Sequence, residues 1–156
     1  MSDYGRRIVI DSSFETVLAE VSRAIRDEGL ERLARIDLRD HFRRSLHRDC
    51  RRYVLIEAWS PALALEAFRR TLDIGTMVTT TFGVYELADG ETIVVAQEPL
   101  APLAAEESWR RDFPALAAIA DQQSEKIARV LDHLQHRSPS PGWQRHGEEF
   151  LQVPVA

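Results

Sequence analysis

The chain has 156 residues, a formal net charge of −5 and an apolar share of 44%. A chain of this length buries roughly 68–70% of the surface that its unfolded form exposes, so it can fold around one core without covalent staples. Cys50 is the only cysteine, which excludes an internal disulfide, a CxxC redox pair and a cysteine-rich zinc site. Because no apolar run has the length of a signal-peptide core or a membrane helix, the sequence predicts a cytoplasmic protein that does not contact a membrane.

The chain opens with alternating strand and helix patterns. Residues 6–10, RRIVI, are typical of a short strand. The next stretch predicts a helix whose first turn is capped by Ser12, with Glu15 reaching back in a capping box. Gly29 is placed to close this helix, because glycine readily adopts the left-handed conformation of a helix end. Residues 30–37 then predict a second strand.

The middle of the chain repeats the alternation. Residues 37–49 place Leu38, Phe42 and Leu46 on one stripe of a short amphipathic helix. YVLIEAW, residues 53–59, predicts a third strand. Ser60 followed by Pro61 is an N-cap and a first-turn proline, and they predict a helix that extends to about residue 72.

The last part of the chain predicts a hairpin and a long helix. Residues 77–86 and 91–97 are two β-rich runs, and the Asp89-Gly90 pair between them is a strong turn signal. Two prolines follow the second run and end the sheet. A helical stripe then runs from Pro114 to about Gln135.

The order of these elements predicts the fold class. A hairpin within a mixed order favours an α+β two-layer sandwich, with a mainly antiparallel sheet of about five strands packed against helices. We expect a single domain over residues 1–137. Residues 138–156 are rich in proline, glycine and charge, and predict a poorly ordered tail.

The pattern from the first strand to the hairpin resembles the domain of unknown function 302 family of bacterial proteins. The resemblance covers about residues 6–103, through blocks such as FETVLAEVSRAIRDEGL, YVLIEAWSPALALEAF and IGTMVTTTFGVYELADGETIVVAQEPLAPL. It implies a compact α+β fold that is often a homodimer and whose biochemical activity is not established. Many members carry cysteines within the positions of 59–61 and 79–81, where this chain has Trp-Ser-Pro and Thr-Thr-Thr. A thiolate role therefore cannot be transferred to those positions, because neither indole nor hydroxyl replaces a thiolate.

Strand alternation predicts the two faces of the sheet. In the threonine strand, Thr80 should point into the core, as a lone hydroxyl among apolar side chains. On the opposite face we expect six residues that could line a ligand pocket: Tyr53, Glu57, Trp59, Thr79, Thr81 and Tyr85. Threonine also favours strands for packing reasons alone, so the triplet has a purely structural interpretation.

Glu57 is the candidate catalytic residue of this face. A carboxylate between Leu55 and Trp59 would have a raised pKa if the face were covered, and it could then act as an acid or base near neutral pH. Tyr85 could assist it. A solvent-facing or dimer-facing glutamate is the structural alternative, since carboxylates are seldom buried.

The segment of residues 38–52 holds six arginines and two histidines. Such a cluster can bind anions or nucleic acid, but the interleaved Asp40 and Asp49 and the acidic total charge favour a solvated surface with internal ion pairs. His41 and His47 are six residues apart, which is not the spacing of a helical ligand pair. We therefore expect neither nucleic-acid binding nor a metal site.

The known motifs of hydrolases, zinc proteases, nucleotide triphosphatases and dinucleotide enzymes do not occur in the sequence. We therefore expect no cofactor. The sequence favours a non-catalytic module that binds a small molecule or a partner as a homodimer. Two alternatives stay open: a cofactor-independent enzyme that uses Glu57 as general acid or base, and a purely structural interaction module.

Overall fold

A computed structural model describes residues 5–87 and 90–136 of the protein. In this part of the chain, five strands form one antiparallel sheet in the order β1-β5-β4-β3-β2. The predicted α+β class, with about five mainly antiparallel strands packed against helices, is confirmed. The strands are β1 (Arg6–Ile10), β2 (Glu31–Asp37), β3 (Tyr53–Trp59), β4 (Thr79–Glu86) and β5 (Thr92–Ala96).

Helices connect the strands or follow the last of them. They are α1 (Phe14–Asp27), α2 (Leu38–Leu46), α3 (Pro61–Phe68), a 3-10 helix (Leu72–Met77), α4 (Ala101–Ala104), α5 (Glu107–Asp112) and α6 (Pro114–Gln135). The predicted bounds of α6 are confirmed at both ends. No helix in the described part of the chain is long and apolar enough to cross a membrane.

The main core lies between one face of the sheet and two helices, α1 and α6. Strand alternation sends every second side chain toward these helices, and Ile56, Phe82 and Val84 are fully buried there. Burying an aliphatic or aromatic side chain of this size contributes about 1.5–3 kcal/mol, so this layer fixes which face of each strand turns inward. The opposite face, here called the outer face, is covered by neither α1 nor α6.

A second apolar cluster lies around α3, the 3-10 helix, α4 and the first half of α6. Ala67 and Leu100 are almost fully buried in it. Trp59, at the end of β3, packs against this cluster. The second apolar cluster therefore borders the outer face at Trp59.

Several predicted boundaries were wrong for local reasons. The cap of α1 is Ser13, whose hydroxyl oxygen accepts from the Thr16 N–H at 3.3 Å, whereas Ser12 lies outside the helix. Met77 belongs to the 3-10 helix, so β4 begins two residues later than predicted. The helix that begins at Pro61 ends at Phe68 and does not reach residue 72.

The region after β5 also differs from the prediction. Two prolines there were interpreted as ends of the sheet, yet Pro102 lies in the first turn of α4, where a proline needs no N–H partner. The sequence analysis missed both α4 and α5, which are too short to show helical periodicity.

The hairpin between β4 and β5 is confirmed by its register, with Glu86 paired to Thr92 and Val84 paired to Val94. Gly90 has a φ of 80°, the left-handed conformation that the turn requires. Asp89 and the predicted tail of residues 138–156 lie outside the described residues.

Candidate binding face of the sheet

The strand register brings all six predicted pocket residues to the outer face. Cα partners across β3 and β4 are Tyr53 with Tyr85, Glu57 with Thr81, and Trp59 with Thr79. Directly paired residues of neighbouring strands point to the same side of a sheet. All six side chains are partly exposed, so they form a half-buried polar and aromatic surface.

Two tyrosines form one end of this surface, opposite the end that holds Trp59. The ring centroids of Tyr53 and Tyr85 are 5.0 Å apart, at a tilt of 31°, a favourable arrangement for aromatic pairs. Burial, with a smaller contribution from the charge of Tyr85, raises the pKa of Tyr53. Its hydroxyl is therefore protonated at neutral pH.

Gly83 leaves room for the Tyr53 side chain beside β4. A Cβ atom at residue 83 would lie 2.9 Å from the Tyr53 hydroxyl and 2.8 Å from Cγ2 of Val95. Both distances are shorter than real Cβ contacts allow. The packing of Tyr53 and Val95 on the outer face therefore requires a glycine at residue 83.

Glu57 and Trp59 differ in what surrounds them. Glu57 is partly exposed and lies across from Thr81. The Trp59 indole N–H donates to Glu31 Oε2 at 3.4 Å, while its ring contacts the second apolar cluster. Trp59 therefore marks the border of the outer face, and Glu57 with Thr81 lies nearer its middle.

The central threonine of the triplet points inward, as predicted. Thr80 is only 2% exposed, but it is not a lone hydroxyl, because Gln123 Nε2 donates to its Oγ1 at 3.0 Å. The same amide lies 3.4 Å from the Val78 carbonyl oxygen. The sequence analysis missed Gln123 because it counted only the apolar stripe of α6.

Arg7 is the outer-face residue that the sequence analysis overlooked. It pairs with Val95, and it alternates with the buried Ile8 and Ile10 of β1. Its Nη2 atom is buried and has no hydrogen-bond partner among the described residues. The alternation within RRIVI was the signal that could have placed this guanidinium on the outer face.

The arginine-rich segment forms ion pairs, as its structural interpretation predicted. Arg39 and Arg43 both bind Asp49 through two hydrogen bonds each, at 2.7–3.1 Å. The hydrogen bond from Arg39, followed by that from Arg43, holds the pKa of Asp49 well below its usual range. These two guanidinium groups are thus engaged within the segment.

Arg52, at the end of the same segment, connects α1 with β4. It pairs with Glu15 and with Glu86, and it lies over the Phe14 ring at 4.8 Å. Among residues 5–87 and 90–136, no group of three or more histidine, cysteine or acidic side chains could hold a metal ion.

A broad depression of about 410 Å³ lies on the helix side of the molecule, remote from the predicted pocket. It is lined by Glu28, Arg129, Asp132, His133 and His136. Arg129 pairs with Glu28 at 2.7 Å, and His136 Nδ1 lies 2.7 Å from the Asp132 carbonyl oxygen. Arg129 and His136 thus each have a partner within the chain.

The comparisons with known proteins identify the family. The model of the family described as "Domain of unknown function DUF302" matches residues 7–134, and the chain belongs to this family. A crystal structure of an uncharacterized conserved DUF302 protein from Bacillus stearothermophilus has a similar fold, with a TM-score of 0.70 and 16% sequence identity. The similarity covers 85% of this chain and 99% of that one. No curated protein matches.

Proposed function

We propose that this protein is a non-catalytic, cytoplasmic module that binds a small molecule on the outer face of its sheet and acts as a homodimer. The observation that carries the proposal is the convergence of Glu57, Thr81, Tyr53 and Tyr85 on one half-buried face. Ligand sites combine apolar and aromatic area with a few polar groups that set orientation. The outer face has both kinds of group within a few residues of each other.

The division of roles follows from the side chains. The stacked Tyr53 and Tyr85 supply flat contact area with polar tips. Glu57 accepts hydrogen bonds, and the hydroxyls of Thr79 and Thr81 donate or accept them. Trp59 borders the site and limits its extent toward the second apolar cluster.

A second copy of the chain is the proposed roof of the site. Besides the aromatic residues, the outer face carries Val9, Leu55 and Val95, all of them half-buried. A contiguous apolar surface rimmed by polar groups is typical of an interaction site. Two copies that meet through this face would exclude water from a ligand held between them.

The register favours binding over catalysis by the pair Glu57 and Tyr85. Tyr85 lies across from Tyr53, four residues along β3 from Glu57, which separates the two backbone positions by about 13 Å. The Tyr85 ring also stacks on Tyr53 instead of turning toward Glu57. A general acid or base must come within hydrogen-bond reach of the atom that it protonates, so this pair is poorly placed to act on one atom.

Native mass spectrometry of the purified protein tests the proposal. We expect a dimer that carries the additional mass of a non-covalent compound, and loss of that compound from the Glu57→Gln/Thr81→Val variant. Glu107→Gln/Thr76→Val, which makes the same changes at exposed positions, is the matched control and should retain it. A monomer of bare mass, or equal occupancy in both double variants, would overturn the proposal.

A further inference from the structure

We propose that the ligand of the outer face carries a carboxylate group and that Arg7 binds it. This inference rests on the proposed function and adds the chemical class of the ligand. It starts from one observation: Arg7 Nη2 is buried, yet it has no hydrogen-bond partner among the described residues. A buried donor without a partner is costly, and more so when the group is charged. Such a donor is expected to meet an acceptor from outside the described part of the chain.

The neighbouring residue Arg6 has a guanidinium group whose hydrogen-bond partners lie within the chain. Arg6 points to the other side of β1, where it pairs with Glu98 and donates to Ser124 Oγ at 3.0 Å. Ser124 in turn donates to Glu98 at 2.7 Å. The part of the chain that the structure describes thus supplies partners to Arg6 but none to Nη2 of Arg7.

The acids of the outer face lie too far away to neutralise Arg7. Three inter-strand steps, through Val95 and Gly83 to Leu55, separate β1 from β3. Glu57 lies two residues further along β3, so its Cα atom is about 16 Å from that of Arg7. Glu31 lies on β2, one strand beyond. These carboxylates are therefore too distant to be the acceptor of the Arg7 guanidinium.

The surroundings of Arg7 favour a single negative charge on an apolar body. Its neighbours on the outer face are Val9, two residues along β1, and Val95, its cross-strand partner. Arg7 is the sole cation among the described strand residues of this face. One guanidinium matches a planar monocarboxylate through two parallel hydrogen bonds, while a phosphate dianion would keep an unbalanced charge beside the valines.

Titration with benzoate and its neutral isostere benzamide tests the inference. The probes are followed by NMR on the full chain, through the side-chain signals of arginine and the backbone amides of β1 and β5. We expect benzoate to shift the Arg7 signals and to bind at least tenfold more weakly to Arg7→Gln. Arg111→Gln, which removes the same charge from a side chain that is 72% exposed on α5, should bind benzoate as the wild type does.

The outcomes separate this inference from the proposed function. If benzoate and benzamide perturb the outer face equally, and Arg7→Gln changes neither, the face binds ligands but the carboxylate assignment is wrong. If neither probe perturbs the outer face, the carboxylate assignment is also wrong. In that case the proposed function is still tested by native mass spectrometry, through the presence or absence of a bound compound.

Thermal unfolding without any probe gives a second, independent test. Because Arg7 Nη2 has no hydrogen-bond partner within residues 5–87 and 90–136, Arg7→Met should leave Tm unchanged or raise it. Arg6→Met should lower Tm, because it removes the contacts to Glu98 and Ser124. A drop in Tm for Arg7→Met as large as that for Arg6→Met would mean that Arg7 has a structural role, which would overturn the assignment.

Discussion

Gly83 decides, at the scale of one residue, how the two tyrosines pack on the outer face. A methyl group at this position would collide with the Tyr53 ring and with Val95. We expect Gly83→Ala to lower the free energy of unfolding by about 1–3 kcal/mol, the usual cost of overpacking. Urea denaturation followed by fluorescence measures this change.

The double variant Gly83→Ala/Val95→Ala serves as the control for the collision. Removing the Val95 methyl groups makes room for the new Cβ atom, so the penalty of the double variant should be smaller than the sum of the two single penalties. Strict additivity would show that the two side chains do not meet, and that the register on this face differs from the one described.

The orientation of individual strand side chains could be predicted from the sequence. Period-two alternation placed Thr80 inside and Thr79 and Thr81 outside, because a strand beside a large core has no freedom to slip by one residue. Hydrogen-bond partners across the fold were not predictable in this way. Gln123 meets Thr80 over a separation of 43 residues, and only the packing of α6 on the sheet brings them together.

The first turn of α1 offers a test at the scale of one element. Ser13 caps the helix through its side chain, so we expect Ser13→Ala to lower the free energy of unfolding by about 1 kcal/mol. Ser12→Ala is the matched control, since the Ser12 group that bonds to Thr92 is its backbone carbonyl. Equal losses in the two variants would contradict the assigned cap.

The contact between β4 and Arg52 makes part of the stability depend on pH. The hydrogen bonds from Arg52 lower the pKa of Glu86 below its ordinary value near 4.5. A depressed carboxylate pKa adds stability that is fully present above the ordinary pKa and is lost as the pH falls through the folded-state pKa. The Tm advantage of the wild type over Glu86→Gln should therefore shrink between about pH 7 and about pH 3.

Glu107→Gln, an exposed change on α5, is the control for this titration. Its Tm difference from the wild type should vary less with pH than that of Glu86→Gln. A Glu86→Gln difference that stays constant down to acid pH would mean that the Arg52 contact does not stabilise the fold.

Whole elements were predictable where a pattern ran long enough. The full length of α6 followed from its stripe, and β3 followed from its apolar alternation. The helices α4 and α5 have four and six residues, too few for a period of 3.6 to repeat clearly. The second apolar cluster was missed for the same reason, because short segments build much of it.

At the scale of the whole molecule, the account predicts association through the outer face. Leu55 lies on that face between Tyr53 and Glu57, so a charge there should oppose the contact of two copies. We expect Leu55→Glu to convert a dimer into a monomer of 17.8 kDa, measured by light scattering after gel filtration. Leu65→Glu, at a leucine of α3 that is 56% exposed, should remain a dimer.

The sequence could indicate which residues share the outer face, but not what covers it. Alternation is a local property of each strand, whereas a bound ligand or a second subunit depends on surfaces that meet only after folding. Arg7 illustrates the difference: its face follows from its place in β1, whereas only the folded structure shows that its Nη2 atom is buried without a partner among the described residues.

A crystal structure of the unfractionated recombinant protein tests the central claim most directly. The account predicts electron density from a non-protein compound in contact with Glu57 and Thr81, beneath a second copy of the chain. Outer faces that meet only bulk water in every independent copy, with no compound and no second subunit above them, would contradict it.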